Sequence, residues 1–340
     1  MTGESVLIVS TNWIGDAIMS MPAVQLFRQK HPDAKITMLA RPLIRSLWAM
    51  HPAVDQLETM AEKFPTIRIL KKTHFDRAYI FPNSFRSAFV PFMSGIPKRI
   101  GARGHWRRFM LTDMVSLPDS HQQFESMKIL DVQGEPPAPK INVPEESLQS
   151  LKVRLTHQGF QPSGRPIITL LPGAARGPSK RWPITNFMAV AKKLRDDFGA
   201  RILLGGGPDD AVVCDEIATA TGPDAISVAG KTSIAEWAAL LKMSDCVISN
   251  DSGGMHLAAT VGTPVVGIFG ITDPSKTGPL GNAVILQKSN VRARNIARES
   301  EEATLALASI QPDEVYEAAT QIIGDSRNAS TPRSSFAPRT

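Results

Sequence analysis

Short apolar runs alternate with longer amphipathic segments twice along the chain. The first run, residues 5–10, is continuous and rich in β-branched side chains, as in a strand buried on both faces of a parallel sheet. Comparable runs in the first half of the chain cover residues 35–40, 54–57, 77–81 and 99–101. A second series covers residues 166–171, 201–204, 225–228, 246–249 and 264–269. Strands that alternate with helices predict an α/β fold of two doubly wound, Rossmann-like domains.

A change in amino-acid composition near the middle of the chain predicts the domain boundary. Residues 134–140 are rich in proline and indicate the approach to a linker. We therefore predict an N-terminal domain over residues 1–150 and a C-terminal domain over residues 151–310. A last helix is expected over residues 311–324, and the Ser-, Arg- and Pro-rich residues 325–340 are expected to be disordered. Two such domains leave a cleft at the carboxyl ends of their strands, where ligands bind.

Composition narrows the cellular setting and the class of partner. The chain is 42% hydrophobic and 21% charged, as is usual for a globular protein. No apolar run is long enough to cross a bilayer and no secretory signal is evident, so we expect a cytoplasmic protein. Two cysteines, Cys214 and Cys246, are too few for a disulfide framework and are expected to be buried thiols. The net charge of +6 favours acidic partners without choosing among them.

The loop after the first strand carries a candidate base. It reads NWIGD over residues 12–16, and Gly15 permits a tight turn or the close approach of a ligand. Asp16 stands at the start of the next helix, where its carboxylate could accept a proton from a sugar hydroxyl or could simply cap the helix. Because no G-x-G-x-x-G motif is present, a dinucleotide-binding dehydrogenase is disfavoured.

Two loops of the second domain suggest contacts to a nucleotide. In residues 171–183, Gly173 helps to fix an irregular turn, and Lys180 stands just before a helix, where it could bind phosphate. The alternative is that Lys180 and Arg181 form a solvated basic pair. Three glycines at 205–207 could admit a flat base or ribose, or could form a flexible turn.

The strongest motif is NDSGGMH over residues 250–256, between a strand and a helix. Ser252, Gly253 and Gly254 can present backbone N–H groups to a diphosphate. Asp251 could orient a sugar hydroxyl. His256 lies one turn into the helix, and although an isolated histidine there is usually structural, its place in a glycine-rich anion loop favours a functional role. The loop is not a Walker A motif, since no Gly-Lys-Ser/Thr ends it.

These motifs together resemble a known family. NWIGD at 12–16, SKRWP at 179–183, NDSGGMH at 250–256 and GIFG at 267–270 occur in the order and spacing of the ADP-heptose:lipopolysaccharide heptosyltransferases of glycosyltransferase family nine. The similarity is closer to the second heptosyltransferase of the inner core than to the first. It implies the GT-B architecture, with two Rossmann-like domains and a last helix that crosses back to the N-terminal domain. It also implies inverting transfer of L-glycero-D-manno-heptose from ADP-heptose, with no essential metal or other cofactor.

The resemblance assigns roles to the motif residues. Asp16 would be the general base, and Lys180 would hold the diphosphate and stabilise the charge on departing ADP. The remaining donor-site residues would be Gly173, Asp251, Ser252, Gly253, Gly254 and His256. No cluster of His, Cys and Asp has metal-ligand spacing, which agrees with the implied metal independence.

A basic segment of the first domain is the candidate acceptor site. Arg86, Arg103 and Arg107, with Asn12, are expected to bind anionic Kdo and phosphate groups of a lipopolysaccharide core. The segment also includes His105 and aromatic residues, yet it lacks a recognised nucleic-acid motif, and a solvated loop is the simpler alternative. Basic surface further predicts transient contact with the inner face of the inner membrane.

Residues 288–310 depart from the family pattern. Many relatives carry a cysteine cluster there, and this chain has none, which leaves the subtype and exact acceptor open. Another GT-B reaction on a different nucleotide sugar, glycosyl transfer or epimerisation, is the first alternative. A binding module without turnover is the second, and the presence of both Asp16 and Lys180 argues against it.

Overall fold

The computed structural model describes residues 3–104, 106–160, 164–293 and 296–330. Two parallel six-stranded sheets organise these residues. The strands of the first sheet are β1 (Ser5–Val9), β2 (Lys35–Ala40), β3 (Gln56–Thr59), β4 (Arg77–Ile80), β5 (Lys98–Ala102) and β6 (Asp113–Val115). The strands of the second are β7 (Ile167–Leu171), β8 (Arg201–Leu204), β9 (Ala225–Ser227), β10 (Cys246–Asn250), β11 (Val265–Ile268) and β12 (Ala283–Leu286).

Both sheets have the same doubly wound topology. The spatial order is β3-β2-β1-β4-β5-β6 in the first sheet and β12-β11-β10-β7-β8-β9 in the second. In each sheet, strands are first added on one side of the first strand and then on the other, which creates a switch point beside that strand. The helices of the first domain are α1 (Ile14–Lys30), α2 (Pro42–Trp48), α3 (Lys63–Lys71), α4 (Phe85–Met93) and α5 (Gln123–Leu130). Those of the second are α6 (Glu145–His157), α7 (Ile184–Asp196), α8 (Ala211–Thr221), α9 (Ile234–Lys242), α10 (Gly253–Thr260), α11 (Pro274–Thr277), α12 (Glu301–Ala308) and α13 (Pro312–Ser330). The predicted pair of Rossmann-like domains is confirmed.

Burial explains which strands the sequence predicts. The central strands β1 and β10 are almost entirely inaccessible to solvent, because helices cover both faces of each sheet, and their apolar runs are therefore continuous. The edge strands β6 and β12 were not predicted. They have only three and four residues, and most of their side chains are partly or fully exposed, so no buried run identifies them.

The domain boundary lies earlier than predicted. A boundary after residue 150 would cut α6, whose Leu151 and Leu155 are fully buried in a cluster with Leu203 of the second sheet. The Oγ of Ser150 also donates a hydrogen bond of 2.7 Å to Glu236 of α9. Helix α6 therefore belongs wholly to the second domain.

The last helix differs from the expectation in length and in position. It continues to Ser330 rather than ending at residue 324, and residues 331–340 of the expected disordered tail lie outside the described residues. Its buried side chains Val315, Ala319 and Ile323 pack with the core of the second domain, against α7, β10 and β11. We expected this helix to cross back to the N-terminal domain. Instead, the apolar face of α13 covers the second sheet.

The two domains meet where α1 packs against α10. A Cβ atom on Gly15 would lie 2.8 Å from Cδ2 of His256, and one on Gly253 would lie 2.9 Å from the Cβ of Ile14. The two helix N-termini can approach this closely only because glycine stands at both positions. A second connection runs from the segment before α5 to α11, where the backbone N–H of Gln122 donates to the carbonyl of Lys276 over 2.9 Å.

The structure corrects the role expected for Arg107. Its guanidinium is completely buried and donates hydrogen bonds to the carbonyls of Ala102 (3.0 Å from Nε) and Pro82 (2.5 Å from Nη1). Burial lowers the pKa of Arg107 to about 10. The side chain joins the loop after β4 to the end of β5, and a group with no solvent exposure cannot contact an acceptor.

Replacing Arg107 should therefore destabilise the fold. Arg107→Met removes the guanidinium that donates to the carbonyls of Ala102 and Pro82, and we expect the free energy of unfolding to fall by about 2–4 kcal/mol. Urea denaturation followed by circular dichroism measures the change. The exposed Arg103→Met is the matched control and should stay within about 0.5 kcal/mol of wild type. Equal midpoints for the two variants would contradict the structural role of Arg107.

Candidate functional site

One cavity of about 260 Å³ lies between the domains, at the carboxyl edges of both sheets. Both domains contribute to its wall. Ligands of doubly wound sheets bind where the strand order changes direction, and these points of the two sheets face each other here. The first domain supplies Trp13, Gly15, Asp16, Met19 and Gln122. The second supplies Ala175, Arg176, Lys180, Asp251, Ser252, Gly253, His256, Thr272 and Thr277.

Two helix N-termini open into this cavity. Helix α1 follows Trp13 and helix α10 follows Ser252, and neither N-cap side chain accepts a hydrogen bond from the helix backbone. The first backbone N–H groups of a helix have no partner within the helix, and the helix dipole makes that end positive. The cavity wall therefore carries two positive helix ends, an arrangement suited to an anion.

Asp16 lies in the first turn of α1 and lines the cavity. It is not the N-cap residue, because Trp13 holds that position, so the capping interpretation is wrong. Burial raises the pKa of the Asp16 carboxyl above its ordinary value, while a hydrogen bond with Gln122 and the charge of Arg176 lower it. A carboxylate with a raised pKa is a stronger proton acceptor than a solvated one.

Lys180 and Asp251 form an ion pair on the opposite wall. Their side chains are only 12% and 7% exposed, and both line the cavity. Lys180 and Arg181 therefore do not act as a solvated basic pair, because they have different partners. Nη2 of Arg181 lies 3.7 Å from Oδ1 of Asp210, and Arg181 does not line the cavity. The second cation of the site is Arg176, from the same loop.

His256 contributes a neutral ring. It is 4% exposed, and burial lowers its pKa to about 4, so the imidazole is uncharged at neutral pH. Its Nδ1 has no hydrogen-bond partner within the part of the chain that the structure describes. The ring packs against Gly15 and also lines the cavity, and it can therefore give or accept one hydrogen bond there without adding charge.

Six of the expected site residues lie outside the cavity wall: Gly173, Gly254, Asn12, Arg86, Arg103 and Arg107. A Cβ on Gly173 would lie 2.2 Å from the Asp210 carboxylate, and one on Gly254 would lie 2.6 Å from Leu171, so both glycines permit close packing behind the loops rather than contact with a ligand. Asn12 is exposed beside the cavity wall. Four residues of the NDSGGMH motif line the cavity: Asp251, Ser252, Gly253 and His256.

The arginines expected at the acceptor site follow strands of the first sheet. Arg86 is half-buried, and its Nη2 donates to the carbonyl of Ala61 over 2.9 Å. Arg103 is exposed in the loop after β5. Helix α4, which contains Arg86, and the loop with Arg103 follow β4 and β5 at the sheet edge from which the chain also leaves β1 towards Asp16, while His105 lies outside the described residues.

The sequence did not predict Gln122, Arg176 or Thr277 as site residues. Arg176 and Thr277 are close to quoted motifs and could have been found by extending them. Gln122 is far from every motif, and only the fold places its side chain beside Asp16. Its backbone is fixed by Lys276 of the other domain, so both domains position the hydrogen bond to the carboxylate.

Within the described ranges, no three His, Cys, Asp or Glu side chains are grouped as a metal site would require. No helix in the same ranges has the length and apolar character needed to cross a membrane.

Comparison with known proteins identifies the family. Residues 64–305 match the model of glycosyltransferase family 9 (heptosyltransferase). The chain is 30% identical over 299 residues to lipopolysaccharide heptosyltransferase 2 of Escherichia coli K12, covering 82% of this chain and 86% of that protein. It is 31% identical over 301 residues to lipooligosaccharide heptosyltransferase 2 of Haemophilus influenzae, with the same coverages. The solved structure of E. coli ADP-heptose lps heptosyltransferase II superposes with a TM-score of 0.83 at 27% identity, over 95% of this chain and 99% of that one. The chain therefore belongs to glycosyltransferase family 9, the heptosyltransferases.

Proposed function

We propose that this protein transfers L-glycero-D-manno-heptose from ADP-heptose to the inner core of lipopolysaccharide, with inversion at the anomeric carbon. The observation that carries the proposal is the placement of Asp16 across one cavity from Lys180 and the N-terminus of α10. A base faces an anion site there, as a displacement reaction requires. The names of the family relatives support the donor and the acceptor, since they are heptosyltransferases of lipopolysaccharide, and one structure is named for ADP-heptose.

The donor diphosphate would bind at the second-domain wall. The backbone N–H groups at the start of α10, at Ser252 and Gly253, suit phosphate oxygens, and the dipole of α10 favours their charge. Asp251 neutralises Lys180 and holds its ammonium in place, so Arg176 and the helix end provide the net positive charge. These groups would stabilise the charge that develops on ADP as the bond to heptose breaks.

Asp16 would act as the general base. The acceptor hydroxyl attacks the anomeric carbon from the face opposite ADP and forms the new C–O bond, while Asp16 takes the hydroxyl proton. The bond between the anomeric carbon and the phosphate oxygen breaks, and its electron pair leaves with ADP. A single displacement of this kind inverts the anomeric centre. Gln122 would orient the carboxylate through their hydrogen bond.

Protein cations would replace a metal ion in this reaction. Lys180, Arg176 and the two helix ends already supply positive charge at the cavity. We therefore propose that transfer is independent of metal. The acceptor, with anionic Kdo and phosphate groups, would approach along the first domain past Asn12, Arg86 and Arg103, at the cytoplasmic face of the inner membrane.

Donor identity tests the proposed function. We expect calorimetry to show tighter binding of ADP-heptose than of UDP- or GDP-sugars, because the site is proposed to serve an adenine nucleotide. Mass spectrometry of a transfer assay with defined truncations of the core, run in the presence of EDTA, should show addition of one heptose. Preference for another nucleotide sugar would replace the proposed donor, and loss of transfer in EDTA would contradict metal independence.

Substitutions at the two walls should separate chemistry from donor binding. Asp16→Asn removes the base, so kcat should fall by about 10²–10⁴-fold while the Kd for ADP is retained. Lys180→Met removes a phosphate contact, so donor binding and turnover should fall together, turnover by about 10²–10³-fold. The neighbouring Arg181→Met is the control and should change neither quantity, because Arg181 faces Asp210. Wild-type turnover in Asp16→Asn would remove Asp16 from the base role.

The acidic limb of the pH profile should follow the charges around Asp16. The base works only when deprotonated, so kcat falls as the pH drops through its raised pKa. Glu125 raises that pKa, and Glu125→Gln should move the limb to lower pH. Arg176 lowers it, and Arg176→Gln should move the limb to higher pH. The exposed Lys128→Gln on the same helix as Glu125 is the control, and shifts of the opposite sign would exclude Asp16 as the titrating group.

A further inference from the structure

An aromatic patch lies on the surface of the first domain. We define it as Phe85, Phe89 and Phe92 of α4 together with Phe109 of the short turn after β5. Ring centroids are 6.0 Å apart for Phe85 and Phe89, 6.4 Å for Phe85 and Phe109, and 6.0 Å for Phe92 and Phe109. Phe85 is 44% exposed and Phe109 66% exposed, so the patch forms one continuous apolar area in contact with water.

Other large apolar side chains are exposed on the segments next to this patch. Trp106 is 93% exposed, three residues before Phe109, and its backbone has the left-handed φ of 55°. That conformation is uncommon for a bulky residue and costs free energy. Phe64, on the neighbouring helix α3, is 69% exposed. Exposed indole and phenyl rings are costly in water and are typical of surfaces that enter a bilayer interface.

Positive charge surrounds the aromatic patch. The Nζ of Lys63 lies 5.9 Å from the ring centroid of Phe89, and the guanidinium carbon of Arg99 lies 5.4 Å from that of Phe92. Arg103 and Arg108 are exposed in the same connection as Trp106. Residues 85–110 contain six Lys and Arg residues and no Asp or Glu. Over residues 85–110 the surface is therefore apolar, and its Lys and Arg residues are not offset by Asp or Glu.

Exposed aromatic rings with a basic border favour one kind of binding partner. Two copies of the chain that met through this area would bring like charges together, which opposes self-association. An anionic bilayer offers phosphate groups to the basic border and an apolar layer to the rings at the same time. We propose that the aromatic patch and its basic border dock the protein on the surface of an anionic phospholipid bilayer, with Trp106 and Phe109 entering the headgroup region.

The location of the patch gives docking a consequence for catalysis. Helix α4 and the turn with Phe109 follow β4 and β5, at the sheet edge from which the Asp16 loop also leaves. A bilayer held against this part of the first domain would present a lipid-linked acceptor on the side of the base. This consequence rests on the proposed function, whereas docking itself does not.

Sedimentation with phospholipid vesicles tests the proposal. Wild-type protein should bind vesicles that contain phosphatidylglycerol, bind pure phosphatidylcholine weakly, and be released as salt is raised. The double variant Trp106→Ser/Phe109→Ser should bind at least about tenfold more weakly, because it loses two of the three most exposed rings of this area. Val212→Ser/Leu305→Ser is the matched control, since those side chains are 78% and 63% exposed on the second domain, and it should bind like wild type.

Further measurements separate the possible failures. Equal vesicle binding by the double variant and wild type would overturn the proposal. So would light scattering that shows wild type to be a dimer and the double variant a monomer, because the area would then join two copies. Transfer to a soluble, delipidated core should be unchanged in the double variant, while transfer to vesicle-embedded acceptor should fall. Absence of transfer by wild type on both acceptors would refute the proposed function and leave the vesicle result intact.

Discussion

The contact between the N-termini of α1 and α10 is the constraint on which the site depends. Gly15 and Gly253 lack the Cβ atoms that would hold these helices apart, so two positive helix ends from different domains meet at one cavity. Like-signed ends repel each other, and the carboxylates of Asp16 and Asp251 offset part of that repulsion. An anionic ligand would offset more of it. Binding of a diphosphate would therefore also stabilise this arrangement of the two domains.

The charges of the cavity are divided between the domains. Lys180 and Arg176 come from one loop of the second domain, and the carboxylate with the raised pKa comes from the first. Gln122 connects the two sides, because its side chain bonds to Asp16 while its backbone bonds to Lys276. The orientation of Asp16 thus depends on the contact between the domains, and a change in that contact would alter the pKa and the geometry of this carboxyl group together.

The elements that the sequence predicts best are the buried strands, because burial on both faces gives them a continuous apolar run. The central strands and the loops that follow them are recognisable because continuous apolar runs end at turn residues, and Asp16, Lys180 and Asp251 lie in or directly after those loops. Strands β6 and β12 lack such runs, since they lie at sheet edges. The contacts of α13 and the hydrogen bond of Gln122 could not be predicted either, because they join segments that are distant in sequence and depend on tertiary packing alone.

The basic segment shows why residue type is a weaker guide than position. Arg107 and Arg108 are adjacent, yet one guanidinium is fully buried on backbone carbonyls and the other is exposed. The buried one fixes the loops after β4 and β5, and that scaffold holds Trp106 and Phe109 at the surface. Part of the positive charge of this segment therefore stabilises the fold, and only the remainder faces solvent. In the proposed docking, electrostatic attraction to an anionic bilayer would accordingly come from Lys63, Arg99, Arg103 and Arg108 rather than from the net charge of the chain.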